Sequence, residues 1–190
     1  MIEKKATEEN VCEKIIVKQA QDKPAILFAG HGSRDVDAVK EFYQLAEHFQ
    51  QRFPDRLVET GFLEFVRPVI GEAVEKLKKQ GASNIQAIPG MLMAGGHAKN
   101  DIPSELNALQ QQFDVNIEYG SELGVNAKMI QAAQARIEEA EQEMKARLNE
   151  SYKREDTLLV VVGRGASDAD ANSNICKITR ILEEGMVFGW

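Results

Sequence analysis

The chain has 190 residues, of which 43% are hydrophobic, and carries a formal net charge of −7 at pH 7. This length and apolar content allow one domain with its own core and part of a second. A pI near 5.1 argues against a nucleic-acid-binding protein, because a phosphate backbone selects clustered lysines and arginines. No stretch reaches the roughly 18–20 apolar residues that span a bilayer. We therefore expect neither a nucleic acid nor a membrane as a partner.

Residues 1–23 form a charged lead-in that lacks the apolar run of a signal peptide. The two cysteines, Cys12 and Cys176, lie far apart and form no C-x-x-C motif, which disfavours a disulfide scaffold. The expected location is therefore the reducing cytoplasm.

From residue 24 onwards, apolar strand patterns alternate with amphipathic helix patterns. Strands are predicted over 25–29, 57–65, 85–88 and 115–119, and helices from Asp35, from Pro68, from Asp101 and over 126–149. This rhythm is typical of a parallel sheet covered on both faces. We predict a flavodoxin-like α/β domain over residues 24–155, with four parallel strands in the order 2-1-3-4 and flanking helices.

A partial repeat of this domain begins near residue 156. With an offset of 133 residues, 25–49 aligns with 158–182 and pairs Gly30 with Gly163, Gly32 with Gly165 and Asp35 with Asp168. The repeat predicts a strand over 157–162 and a helix after it, so that residues 156–190 would begin a second, incomplete unit. We expect either a missing C-terminal half or self-association through the apolar surface left open.

Two glycine-rich loops follow the first and third predicted strands, and each carries a histidine. His31 lies in Gly30-His31-Gly32-Ser33-Arg34, and His97 follows a glycine pair. Strands 1 and 3 are neighbours in the predicted order, so both imidazoles are expected at the carboxyl edge of the sheet, where open α/β folds bind ligands. His48 is instead predicted to be a solvated side chain of the first helix.

Glu64, at the end of the second predicted strand, is the expected third member of this site. Two imidazoles and a carboxylate suit a divalent transition metal such as Fe, Co, Ni or Zn. They suit proton transfer near neutral pH equally well, and the spacing is compatible with either role. No nucleotide-binding loop of the G-x-x-x-x-G-K-[ST] or G-x-G-x-x-G type is present, so no ATP requirement is implied. Ser33 lacks the G-x-S-x-G context of a nucleophile.

Several short motifs together resemble one family. In chain order they are AGHGSR at 29–34, GFLE at 61–64, PGML at 89–92, GGH at 95–97 and DIP at 101–103. In order and spacing they resemble the CbiX type of sirohydrochlorin chelatase, a class II chelatase, over about residues 25–124. The resemblance implies two flavodoxin-like halves that face a cleft, with this chain similar to the long, duplicated form. At the position equivalent to His31, the second copy carries Arg164.

The resemblance also implies an activity: insertion of Co²⁺, or in relatives Fe²⁺ or Ni²⁺, into a sirohydrochlorin-type tetrapyrrole, without ATP or an organic cofactor. The family's metal-binding and proton-removing histidines map onto His31 and His97, and its glutamate maps onto Glu64. Residues expected to bind the carboxylate-rich substrate flank the motifs; they are Ser33, Arg34, Arg67 and Lys99. A non-catalytic carrier of metal or tetrapyrrole would need the same ligands, and these residues do not distinguish cobalt from iron.

Overall fold

The computed structural model describes residues 24–148 and 152–189. The predictions for residues 1–23, including Cys12, lie outside the described residues. Contacts divide the described chain into two compact units, one of residues 24–91 with 97–122 and one of residues 92–96 with 123–189. This boundary precedes the predicted one at 155/156, because the long helix that follows residue 126 packs with the last helix.

The first unit is a parallel sheet of four strands in the order β2-β1-β3-β4. The strands are β1 (Ala25–Gly30), β2 (Val58–Phe62), β3 (Asn84–Pro89) and β4 (Asn116–Tyr119). The helices are α1 (Val36–Arg52), α2 (Ile70–Lys79) and α3 (Ile102–Phe113), and a π-helical turn, His97–Asp101, leads directly into α3. The predicted strand order and the flavodoxin-like α/β class are confirmed.

Strand β1 is the centre of this unit, and all six of its residues are buried. Successive side chains of a strand point to opposite faces. Leu27 therefore packs on one face with Ile70 of α2 and Ile102 of α3. On the other face, the ring of Phe28 stacks on Phe42 of α1 with centroids 4.7 Å apart. Helices thus cover both faces, as the strand and helix patterns predicted.

The chain after β2 stays hydrogen-bonded to the chain after β1. The backbone N–H of Leu63 donates to the Gly30 carbonyl over 2.9 Å, and that of Glu64 donates to the His31 carbonyl over 3.1 Å. Gly32 lies at φ 90°, and a Cβ on it would overlap the carbonyl oxygen of Glu64. The absence of a side chain at Gly32 therefore allows the two segments to approach.

The second unit contains α4 (Ala127–Leu148) and α5 (Ala169–Met186), which pack around an apolar cluster. Glu141 of α4 is only 8% exposed. Its carboxylate accepts hydrogen bonds from the Arg154 guanidinium at 2.6 and 2.7 Å and from the Tyr152 hydroxyl at 2.9 Å. These bonds attach the 3₁₀ turn Arg154–Asp156 to α4.

The segments aligned by the predicted partial repeat have two local features in common. Gly165 has φ 79°, as its counterpart Gly32 has φ 90°. Asp168 caps α5 by accepting from the Ala171 N–H, as Asp35 caps α1. The aligned segments therefore share a left-handed glycine followed by an aspartate-capped helix.

The strand predicted over 157–162 does not form, and that prediction is wrong. Alternate side chains there are exposed, with Leu158 at 64%, Val160 at 68% and Val162 at 87%. A strand requires a neighbour for its N–H and C=O groups, and the described part of the second unit contains no strand to pair with it.

One smaller prediction concerns a single side chain. His48 is exposed on α1, as predicted. None of the helices in the described ranges is both long and apolar enough to cross a bilayer.

Replacing Gly32 by alanine should lower the free energy of unfolding by about 1–3 kcal/mol, because the new Cβ strains φ and collides with the Glu64 carbonyl. The matched control is Gly95→Ala, since nothing lies within 4 Å of a Cβ added there; we expect a change below about 0.5 kcal/mol. Chemical denaturation measures both. Equal stabilities of the two variants would contradict the close approach.

The Glu141 ion pair should make stability depend on pH. Hydrogen bonds from Arg154, the largest influence, hold the pKa of the Glu141 carboxyl below its ordinary value. A carboxyl whose pKa is lower when folded stabilises above its unfolded pKa, and that stability is lost as pH falls through the folded value. We expect Glu141→Gln to lower the free energy of unfolding by about 1–3 kcal/mol at pH 7, and by little at a pH below the folded pKa of Glu141.

Denaturation curves of the wild type and Glu141→Gln at several pH values measure this difference. Glu143→Gln, an exposed position on the same helix, is the control and should match the wild type throughout. A stability difference for Glu141→Gln that is constant with pH would disprove the ionic contribution.

Candidate metal centre

Three side chains converge at the carboxyl edge of the sheet: His31 after β1, Glu64 after β2 and His97 after β3. One ligand atom from each lies within 4.8 Å of the other two. The imidazole rings meet edge to face with centroids 4.6 Å apart, and His31 Nε2 lies 3.4 Å from Glu64 Oε1. The structure therefore brings together the three residues predicted from the sequence.

The strand register explains this convergence. Strand β1 lies between β2 and β3, and its last residues pair in parallel, Gly30 with Phe62 and Ala29 with Pro89. All three strands therefore end at the same level, and the loops that follow them leave the sheet side by side. This is the edge at which open parallel sheets bind ligands.

Hydrogen bonds to one ring nitrogen of each histidine leave the other nitrogen available to bind a metal ion. His31 Nδ1 lies 3.0 Å from the Gly32 carbonyl oxygen, and His97 Nδ1 lies 2.7 Å from Asp101 Oδ2. Both partners are acceptors, so these contacts favour the form of each ring in which Nδ1 carries the proton and donates. A neutral imidazole then has its free lone pair on Nε2. With the Glu64 carboxylate, the cluster offers two nitrogen donors and one oxygen donor.

The cluster is open to solvent on one side. The side chain of His31 is 32% exposed, that of Glu64 42% and that of His97 50%. The cavity behind His31, lined also by Val39 and Phe42, holds only about 160 Å³, below the roughly 300–1,000 Å³ typical of an enclosed ligand site. A metal held here would keep open coordination positions on the exposed side, and a large ligand would lie across the edge.

Arg34 lies beside the cluster, next to an aromatic ring that the sequence analysis did not assign. Its guanidinium carbon is 5.0 Å from the centroid of the Phe65 ring, which in turn is 6.0 Å from the His31 ring. Phe65 is 52% exposed and has φ 65°, which is uncommon for a bulky residue. Its position next to Glu64 in the sequence is the available signal of a place near the site. The backbone conformation of Phe65 is what places its ring at the rim, meaning the exposed border of the cluster beside His31.

The other predicted substrate-binding residues have different surroundings. The Arg67 guanidinium forms an ion pair with Glu72. The Ser33 hydroxyl accepts a hydrogen bond of 3.0 Å from the Asp35 N–H in the turn before α1. Lys99 is exposed in the π-helical turn that begins at His97. Ser33 and Arg34 thus follow His31 closely in the chain and Lys99 follows His97, whereas Arg67 follows Glu64.

Asp101 is a further residue of the site, and the sequence alone does not indicate it. It lies in the DIP motif at 101–103. Its spacing of four residues from His97 is the available signal, since residues four apart face each other on a helix. The segment before Asp101 is predicted to be a loop, and a loop gives no reason to expect that pairing.

Comparisons with known proteins place this site in a family. A statistical model of the CbiX family matches residues 25–140. The sirohydrochlorin cobaltochelatase of Priestia megaterium is 36% identical over 162 residues, which cover 84% of this chain and 50% of that protein. The sirohydrochlorin ferrochelatase of Bacillus subtilis strain 168 is 32% identical over 163 residues, 85% of this chain and 59% of that protein.

Among solved structures, the sirohydrochlorin chelatase SirB from Bacillus subtilis subspecies spizizenii, in complex with cobalt, superposes with a TM-score of 0.74 at 28% identity. The match covers 87% of this chain and 64% of that one. The chain thus spans between half and two thirds of the length of these three relatives. The family match extends over more than half of the chain and contains all three clustered residues. The chain therefore belongs to the CbiX family.

Proposed function

We propose that this chain is a sirohydrochlorin chelatase that inserts a divalent metal ion into a sirohydrochlorin-type tetrapyrrole without ATP. The observation that carries this proposal is the cluster of His31, Glu64 and His97 on an open sheet edge. Relatives named as cobaltochelatase and ferrochelatase support the same chemistry. In this proposal the metal ion is a substrate, so a site that is half exposed and leaves coordination positions free suits its transfer.

The reaction exchanges a metal ion for two protons. The metal is first held by the Nε2 atoms of His31 and His97 and by the Glu64 carboxylate, which offsets part of the metal's charge. As the metal moves to the macrocycle, its bonds to the imidazoles break and their lone pairs become free. Each can then accept a proton from a pyrrole N–H, because a neutral imidazole is an effective base near neutral pH. The same atoms therefore serve as ligand and base in turn.

Basic side chains at the rim are proposed to bind the carboxylates of the tetrapyrrole. Arg34 is the first candidate, because its guanidinium lies over the exposed Phe65 ring beside His31. Stacking on an aromatic face leaves the N–H edges of a guanidinium available for carboxylates. Lys99 is the second candidate. Arg67 is a weaker one, because Glu72 already neutralises its charge, and Ser33 would contribute only its hydroxyl.

For the metal, we propose Co²⁺ and a role in cobalamin biosynthesis, with Fe²⁺ for siroheme as the alternative. The 36% identity to a cobaltochelatase and the 32% identity to a ferrochelatase support both. Two imidazoles and a carboxylate follow the general affinity order of divalent metals, so metal supply would contribute to selection. We place the protein in the cytoplasm, where the thiol of Cys176 would stay reduced.

The exposed apolar segment 157–162 is proposed to be buried against another protein surface in the active protein. Leu158, Val160 and Val162 present one apolar side to solvent, and contiguous apolar surface of this kind marks an interaction site. A second copy of the chain, or the further half that the longer relatives contain, would supply the covering surface. Sedimentation of the chain tests the first of these.

Removing an imidazole from the cluster should abolish turnover. We expect several turnovers per protein with sirohydrochlorin and Co²⁺, and a rate at least about 100-fold lower for His97→Ala, which loses a ligand and a base. Anaerobic absorbance of the metallated product measures both rates, with Fe²⁺ in parallel. His48→Ala, which removes an exposed histidine from α1, is the control and should match the wild type. A wild-type rate equal to the protein-free rate would refute the proposal, and one equivalent of retained product would favour the carrier.

Removing the rim cation should weaken substrate binding without altering the chemistry. We expect Arg34→Ala to raise the KM for the tetrapyrrole about 10-fold, the value of one charge-assisted contact, with kcat nearly unchanged. Initial rates over a range of tetrapyrrole concentrations measure both constants. Lys79→Ala, which removes an exposed cation paired with Glu75 on α2, is the control. An Arg34→Ala variant with the same KM as this control would contradict the assignment.

A further inference from the structure

We propose that Asp101 is a positioning residue for His97. Its carboxylate holds the imidazole in the form protonated on Nδ1, which leaves Nε2 free for the metal ion. The direct observation is the 2.7 Å contact between His97 Nδ1 and Asp101 Oδ2. The inference deepens the proposed function and rests on it only for the identity of the substrate metal.

The backbone that carries this pair is fixed at both ends. His97 and Asp101 are the first and last residues of the π-helical turn, a rare conformation that occurs frequently at functional sites. Within the turn, Ala98 is buried and its carbonyl accepts a 2.9 Å hydrogen bond from the Tyr119 hydroxyl. Immediately after it, Ile102 is fully buried at the start of α3. The distance between imidazole and carboxylate is therefore set by the core of the sheet.

Asp101 does not perform the usual task of an aspartate at the beginning of a helix. Such a side chain normally accepts a hydrogen bond from an N–H of the first turn, as Asp35 does for α1 and Asp168 for α5. Asp101 precedes α3, but its backbone is helical, with φ −71° and ψ −50°, because the π-helical turn continues directly into α3. Its side chain therefore makes no capping bond, and its carboxylate contacts His97.

A contribution to folding stability does not account for the pairing of His97 with Asp101 either. The two side chains are 50% and 55% exposed, and exposed ion pairs contribute little to folding. A carboxylate that accepts a hydrogen bond from the ring nitrogen not bound to metal fixes the tautomer and the ring orientation of a metal-binding histidine. His31 receives the same constraint from the Gly32 carbonyl at 3.0 Å. Asp101 therefore gives His97, through a side chain, what the backbone gives His31.

The decisive experiment measures the tautomer directly. Nitrogen-15 NMR of the chain labelled at its three histidines, at about pH 8.5, roughly two units above the ordinary pKa of imidazole, distinguishes a protonated Nδ1 from a protonated Nε2. His97 is assigned by the signal missing in His97→Ala. We expect Nδ1–H in the wild type and a shift towards Nε2–H in Asp101→Ala, with His31 unchanged. Co²⁺ affinity of Asp101→Ala, measured without tetrapyrrole, should fall about 10- to 100-fold.

Glu75→Ala is the matched control, because it removes an equal charge from an exposed ion pair on α2. It should leave both the tautomer and the Co²⁺ affinity unchanged. The inference is overturned by Nε2–H on His97 in the wild type, by an unchanged tautomer in Asp101→Ala, or by an altered tautomer with unchanged Co²⁺ affinity. Neither measurement uses tetrapyrrole, so an inactive wild type would refute the chelatase proposal alone. The wild-type spectrum tests the inference even where Asp101→Ala does not fold.

Discussion

The close backbone contact between the ends of β1 and β2 is the constraint on which the site depends. Two hydrogen bonds, from Leu63 to Gly30 and from Glu64 to His31, continue the pairing of the strands beyond the sheet. Gly32 permits this contact because it has no side chain to meet the Glu64 carbonyl. The spacing of the backbones that carry the His31 imidazole and the Glu64 carboxylate is therefore set by main-chain bonds.

The third ligand is positioned in a different way. His97 follows a pair of glycines and is held by a short turn that is anchored through Ala98 and Ile102. The two histidines thus reach one cluster from separate loops, and each has a hydrogen-bond acceptor for Nδ1. Such constraints reduce the reorganisation needed when a metal arrives or leaves. An open edge with fixed ligands suits transfer of a metal better than its permanent retention.

The predicted partial repeat aligns two segments that are similar in backbone geometry but differ in a key side chain. Gly165 and Asp168 reproduce the left-handed glycine and the capping aspartate of the first copy. The residue equivalent to His31 is Arg164, and a guanidinium has no lone pair with which to bind a metal. The aligned segment therefore has a similar turn, but its side chain at this position is a cation, which suits contact with carboxylates.

The sequence by itself determined the alternation of strands and helices, and with it the fold class. It also determined the three members of the cluster, because each is a polar residue that follows an apolar strand. The strand order was then the one typical of that fold class. Only the tertiary structure decided the rest. Segment 157–162 has a strand pattern, but the described part of the second unit has no strand to pair with it. Phe65 lies beside His31 because of a backbone angle that no apolar pattern reports. The pairing of Asp101 with His97 required a π-helical turn where a loop was predicted. Apolar patterns indicate which residues avoid water. Contacts between polar side chains depend instead on interatomic distances that only the folded backbone sets.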